Sequence, residues 1–411
     1  MTRFVDQELA TAGAASVIVV LTDEARAIPE TRAAADSLEP YFTTEGSQLA
    51  AVALAEDLPV ETMRYYPNLG VAYGSVDRDG YAALRSDPAV DEVVGAPQLS
   101  LIRPVHRASV RAATRAWGLD HLGIPELWAA GLTGAGVVVA HLDTGVDAGH
   151  DTLDGAVSSF AEFDPLGRVI PGAPARDSDD HGTHTAATIA GRKTGGKVVG
   201  VAPGASLASA LVIEGGDAVA RVLGGLDWSI DRGARVLSMS LGFRGWWQDF
   251  LPIVRILRSR GILPVIAAGN EGPGTSRSPG NYAEALTIGA HDDSGAIASF
   301  SSSQRFVRRR DALVPDVAAP GVDVVSAKPG GGFQTMSGTS MATPHVAGLA
   351  ALLAEADPTA SVTRLERAIL VVHADRRWSR RSRTQGNCQR SRSPGSAAVR
   401  SPATCHGLTP S

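Results

Sequence analysis

Four polar residues stand where apolar runs stop or small-residue helices start. VVVAHLD ends in Asp143, with Gly145 behind it to allow a turn. His181 opens HGTHTAATIAG, ILPVIAAGN ends in Asn270, and MSGTSMATPHVAG sets Ser340 at a turn that runs into a helix. A hydroxyl at such a turn lies under the positive end of the helix dipole, which stabilises any oxyanion formed there. An amide at a strand end, such as Asn270, can donate to the same oxyanion. Each residue also has a plain structural reading. A strand-terminal Asp and an Asn before Gly are common turn residues. Serine before a helix is a common N-cap, and Pro344 fits a first helical turn, where it forfeits no intrahelical bond. His181 and His184, three residues apart, raise a metal site. A helical metal motif of the H-E-x-x-H kind needs a glutamate between them, whereas Gly and Thr occupy that space here, so no metal is expected.

The segments carrying these residues alternate. Short apolar runs (GVVVAHLD, ARVLSMSLG, ILPVIAAGN, ALTIGA) are separated by amphipathic stretches such as GDAVARVLGGLDWSIDRG and DFLPIVRILRSRG. This predicts an α/β fold: a mainly parallel sheet with helices on both faces over 117–375. Ligands of such sheets bind at the carboxyl ends of the strands, where Asp143 and Asn270 stand. Residues 1–102 read as a small α+β domain, with strands in SVIVVLT and NLGVAYGSV, a helix in DRDGYAALRSD and a last strand near VDEVVGAP. LIRPVHRASVRAATRAWG is arginine-rich without an acid, and predicts an exposed basic connector over 103–116.

The tail 376–411 carries eight arginines from Arg376 to Arg400, and all 43 acidic residues precede it. It is predicted to be disordered. The acidic body offers no nucleic-acid surface, although the basic tail raises DNA binding as a competing reading. Cys388 and Cys405 both lie in the tail, so neither a disulfide nor a cysteine-ligated metal holds the body. No stretch is apolar and long enough to span a bilayer. Acidic residues precede the first apolar run where a signal peptide would want positive charge, which favours the cytoplasm.

Taken together, in the order Asp, His, Asn, Ser, the motifs HLDTGVD, HGTHTA, AAGNEG and SGTSMATPHVAG resemble the subtilisin-like serine proteases (the subtilase family, peptidase S8 type). VLSMSLG and PDVAAPGVDVVSA add to the resemblance. It implies a serine endopeptidase with Ser340 as nucleophile, His181 as general base and then acid, Asp143 holding the imidazole, and Asn270 in the oxyanion hole. It makes His184 a structural neighbour and calls for no cofactor. Ser240, Leu241 and Gly242 would pair with the substrate backbone, with Ala267, Ala268 and Gly269 as another wall of the pocket and Glu214–Gly216 as an opposing strand. Protein or peptide substrates are the implied partners. The N-terminal unit resembles the family's inhibitory propeptide through VIVVLT and DPAVDEVVGAP, which implies a zymogen cut between Leu101 and Trp117. Family members are commonly secreted, against the cytoplasmic reading of the N-terminus.

The chain also departs from the pattern. At a calcium site common in the family it has Thr152 and the loop AGRKTGGKVVG, whose Arg192, Lys193 and Lys197 oppose a hard cation, so that site is expected to be absent. Asp177, Asp179 and Asp180 read as a solvated acidic loop. Ala187 replaces a glycine, adding a methyl to a packed helix. Arg277 falls near the base of the specificity pocket and predicts an acidic side chain before the cut. The final Arg/Ser-rich stretch stands where the family has a closing turn and helix. Two alternatives follow: an inactive homologue, propeptide-capped or poorly folded because of its end, and a non-catalytic peptide-binding scaffold.

Overall fold

The computed structural model describes residues 3–27, 31–55, 57–109, 116–214, 218–306 and 313–371. Residues 1–370 form one unit. The tail 376–411, with its two cysteines, lies outside the described residues.

Seven parallel strands form the central sheet, in the order Val317–Pro320, Leu286–His291, Leu263–Ala267, Val236–Met239, Val138–Asp143, Ser206–Leu211, Val157–Glu162. The middle strands are apolar on both faces because both faces are covered. Alternate residues of one strand serve opposite cores. Val139, Val236 and Val265 pack with the helices His181–Ala190 and Thr339–Ala356, while Ala140, Leu237 and Ile266 pack with Ala218–Asp231 and Leu251–Ser259. The period-2 alternation of side chains makes this division automatic.

The N-terminal region forms a four-stranded antiparallel sheet ordered Met63–Tyr66, Val71–Val76, Ala15–Leu21, Val90–Gly95. The helix Arg78–Ser86 starts where the Asp77 carboxylate accepts from Gly80 N at 2.7 Å. This sheet too is buried on both sides. Val17, Val19 and Leu21 enter its own core, whereas Ile18 and Val20 join the body's core beside Val219 and Leu223. Polar contacts fix the docking: Tyr66 Oη donates to the Ala220 carbonyl at 2.8 Å, and Leu69 N donates to Asp227 at 2.9 Å.

Residues 103 and 105–108 of the connector are exposed, and the burial lies just ahead of them. Leu101 and Ile102 are buried, Ser100–Leu101 forms a strand, and His106–Ser109 forms another, antiparallel to Phe333–Ser337. Both pairings are with segments far along the chain, which no local pattern reports. Residues 110–115 of the connector lie outside the described residues.

Candidate active site

Asp143 is the last residue of its strand and His181 the first of its helix. Gly182 allows their approach, since a Cβ there would lie 2.0 Å from the Gly145 carbonyl oxygen. His181 Nδ1 lies 2.6 Å from Asp143 Oδ1, which also accepts from Thr144 N at 2.7 Å. The other oxygen, Oδ2, accepts from Thr185 Oγ1 at 3.2 Å. Burial alone would raise the Asp143 carboxyl, but the charge and hydrogen bond of His181 bring it below the usual range. An anion is thereby kept behind the imidazole, whose Nε2 is buried without a hydrogen-bond partner.

Ser340 is the second residue of its helix, not its N-cap. The cap is supplied from elsewhere: Asn270 Oδ1 accepts from Thr339 N and from Thr339 Oγ1, both at 2.9 Å. Pro344 accordingly sits in the second helical turn, where it removes the donor that the Ser340 carbonyl would otherwise accept from, contrary to the first-turn reading. Fixing Oδ1 on the helix turns the Asn270 Nδ2 outward, and it donates to the Arg103 carbonyl at 2.9 Å.

The cleft holds the chain's own residues. Ile102 N donates to the Ser240 carbonyl at 2.9 Å, Leu101 pairs with Leu241, and Ser100 pairs with Gly242. Ser340 Oγ donates to the Ile102 carbonyl at 2.6 Å. Ala268 accepts from Arg277 N at 3.1 Å, and Gly269, at φ 114°, donates to Thr339 Oγ1 at 3.3 Å; Ala267 ends the neighbouring strand. Of the expected opposing strand, Gly215 and Gly216 lie outside the described residues. Glu214 engages Arg176, which also holds Glu162.

The remaining polar residues are structural. His184 is buried, with Nε2 2.9 Å from the Val324 carbonyl, and burial lowers its pKa to about 3. Asp177 is no solvated loop residue: it accepts from Thr183 N, Thr183 Oγ1 and Thr144 Oγ1, tying the start of the His181 helix to the end of the Asp143 strand. Asp179 and Asp180 bind Arg107. His141 was missed from sequence. Buried and neutral, with a pKa lowered to about 4 by burial, it has Nε2 2.8 Å from Thr185 Oγ1. With Thr185 donating to Asp143, His141 donates to Thr185 and its Nδ1 accepts from Ser209 at 3.0 Å. The signal was its position two residues before Asp143, on the same side of the strand.

In the loop expected to lack calcium, the cationic side chains have partners of their own. Arg192 Nη2 donates to the Gly155 carbonyl at 2.7 Å, and Lys197 Nζ lies 4.3 Å from the centre of the Phe333 ring. Among the described residues no cluster of His, Cys, Asp or Glu could hold a metal, and no helix is long and apolar enough to cross a membrane.

The subtilase family model matches residues 134–388, a span that contains Asp143, His181, Asn270 and Ser340. The chain is a subtilase. It is similar to an alkaline protease of Alkalihalobacillus alcalophilus, 34% identical over 315 residues covering 76% of each chain. Subtilisin E of Bacillus subtilis (strain 168) is 36% identical over 284 residues, 68% of this chain and 71% of that one. Subtilisin Savinase of Lederbergia lenta is 39% identical over 246 residues, 59% of this chain and 85% of that one. The subtilase is therefore a serine endopeptidase, a hydrolase of peptide bonds in protein substrates.

Proposed function

We propose that this subtilase is the uncut precursor of an endopeptidase that removes its own first 102 residues. The seating of Ile102 carries the reading: its carbonyl oxygen meets Ser340 Oγ, and the residues before it extend a sheet edge at Leu241–Gly242. Adding an extended peptide to a sheet edge gives main-chain hydrogen bonds to almost any sequence, as an endopeptidase requires.

Ser340 Oγ attacks the Ile102 carbonyl carbon while His181 Nε2 takes its proton. The proton passes to the Arg103 nitrogen as the C–N bond breaks, and water then releases Ile102 from the acyl-enzyme by the same route. Asp143 orients the imidazole and stabilises its charged form. Asn270 Nδ2 and the Ser340 N–H receive the oxyanion, a side-chain donor of this kind being worth about 3 kcal/mol in subtilisins generally. At rest Ser340 faces the carbonyl oxygen, and Asn270 holds the next carbonyl along. Reaction needs Ser340 to turn toward the unpartnered His181 Nε2 and Asn270 to exchange carbonyls. The backbone register supports the Ile102–Arg103 bond over Arg103–Pro104, because it is the Ile102 N–H that meets Ser240. Residues 1–102 act as an intramolecular inhibitor, anchored through Tyr66, Leu69 and the Gly95 N–H on Asp249.

Intact mass followed over time, for the parent beside Ser340→Ala, tests this. The parent is expected to separate between Ile102 and Arg103 while the variant stays whole. A folded parent that stays whole overturns the proposal.

A further inference from the structure

Arg277 is almost fully buried, and the structure gives it a partner that changes what it can do. Its Nε donates to Glu271 Oε1 at 3.0 Å, and its Nη2 contacts the same oxygen. Glu271 is itself fixed, since Oε2 accepts from Asn270 N and from Ser302 Oγ. The guanidinium charge is thus already met, which removes the reason to expect an acidic residue immediately before the cut. One edge stays available to a peptide. Nη1 donates to the Gly242 carbonyl at 3.2 Å and to Ser100 Oγ at 3.1 Å. Two glycines make room for this arrangement. A Cβ on Gly242 would lie 3.3 Å from Arg277 Cβ, and one on Gly269 would lie 2.7 Å from Glu271 Oε2 and 3.1 Å from Arg277 Cγ.

We propose that Arg277 is a specificity-determining residue that reads the third residue before the cut, selecting a side chain with a hydrogen-bond acceptor. The inference rests on the proposed seating of Ile102 before the scissile bond, which makes Ser100 that third residue. Ser100 Oγ accepts from Arg277 and donates to the Gly242 carbonyl at 3.2 Å, so a hydroxyl satisfies both neighbours. A guanidinium has five N–H groups and no acceptor, and the fork pinned by Glu271 holds Nη1 in position before the peptide arrives. Alanine there leaves that N–H one acceptor short, and lysine brings a like charge to it. Ser100 is exposed, so water competes for the site and the selectivity is moderate, about fivefold.

The test is kcat/KM on peptides that share the Leu-Ile-Arg junction and carry Ser, Asp, Ala or Lys three residues before the cut. The full-length preparation is used after self-processing and removal of the released N-terminal piece. Parent protein is expected to rank Ser and Asp above Ala, and Ala above Lys. The Arg277→Met, Glu271→Gln double variant, which buries no unpaired charge, is expected to bring the Ser-to-Ala ratio near one. A merely structural role would lower all four rates together and leave the ratio unchanged, which overturns the inference, as does a ratio near one in the parent. Absence of cleavage in every peptide overturns the reading beneath it as well.

Discussion

The strip of chain that crosses Ser340 is fastened differently on its two sides. Before the proposed cut, Leu99, Leu101 and Ile102 are buried, and the backbone extends the Leu241–Arg244 strand. After it, the Arg103 side chain is 70% exposed, and the attachments are the pairing of His106–Ser109 with Gln334–Ser337, the Asn270 bond to the Arg103 carbonyl, and ion pairs to Asp179 and Asp180. Burying an aliphatic side chain is worth about 1.5–3 kcal/mol, whereas exposed ion pairs contribute about 0–1 kcal/mol. The upstream side is the stronger hold. Once the proposed bond is cut, the N-terminal piece should linger while the new N-terminus lets go.

Asn270 caps the Ser340 helix and donates to the Arg103 carbonyl, so of the changes along this strip its removal should be the most damaging. Asn270→Ala should slow self-cutting by about 10²–10³-fold, the general range for removing such a donor in subtilisins. A loss under tenfold in the mass time course would count against an oxyanion role. Ile102→Asp puts an unpaired charge in a buried position and should slow the cut by about tenfold or more. Arg103→Asp should change it far less, and equal effects would erase the distinction between the two sides.

The pH response bears on the upstream side. Asp227 accepts from Leu69 N and Asn68, Asp249 accepts from Gly95 N, and burial raises both carboxyls above the ordinary range. Raised in the docked state, they favour docking most fully below the ordinary carboxylate pKa of about 4, and that contribution is lost as pH rises through the raised values. Retention of the cut N-terminal piece, followed by size exclusion, should therefore be firmer at about pH 4.5 than at neutrality. Asp227→Asn keeps an acceptor and should flatten that dependence; an unchanged profile would remove Asp227 from it. The smallest effect belongs to the downstream side. Arg107→Ala should alter the cutting rate about two- to threefold at low salt and not at all near 1 M, where the screening length is about 3 Å. An effect that persists in high salt would mean that the ion pairs are not what holds this segment.

Much of the sheet and the four polar residues were legible because strand ends, helix starts and glycine turns are local. Asp143 and Asn270 close apolar runs, and His181 opens a small-residue helix. What escaped was set by distant partners. The helix around Ser340 begins two residues earlier than its sequence suggests because Asn270 caps it, which also shifts Pro344 into the second turn. Arg277 reads as a free charge in the sequence, whereas Glu271, six residues earlier in the chain, stands beside it in the fold. The arginine-rich connector reads as exposed because its charges do face outward, while the apolar Leu101 and Ile102 ahead of them fill a cleft built by residues far along the chain.

One strip of chain lends a strand to the Leu241–Arg244 edge and, a few residues later, another to Phe333–Ser337. While it is continuous, each half raises the effective concentration of the other at its own edge, so occupancy of the cleft does not depend on how much protein is present. Breaking one bond inside the strip makes the two halves separate molecules. Blockage by the N-terminal piece then becomes a bimolecular equilibrium, and dilution alone shifts it toward an open cleft.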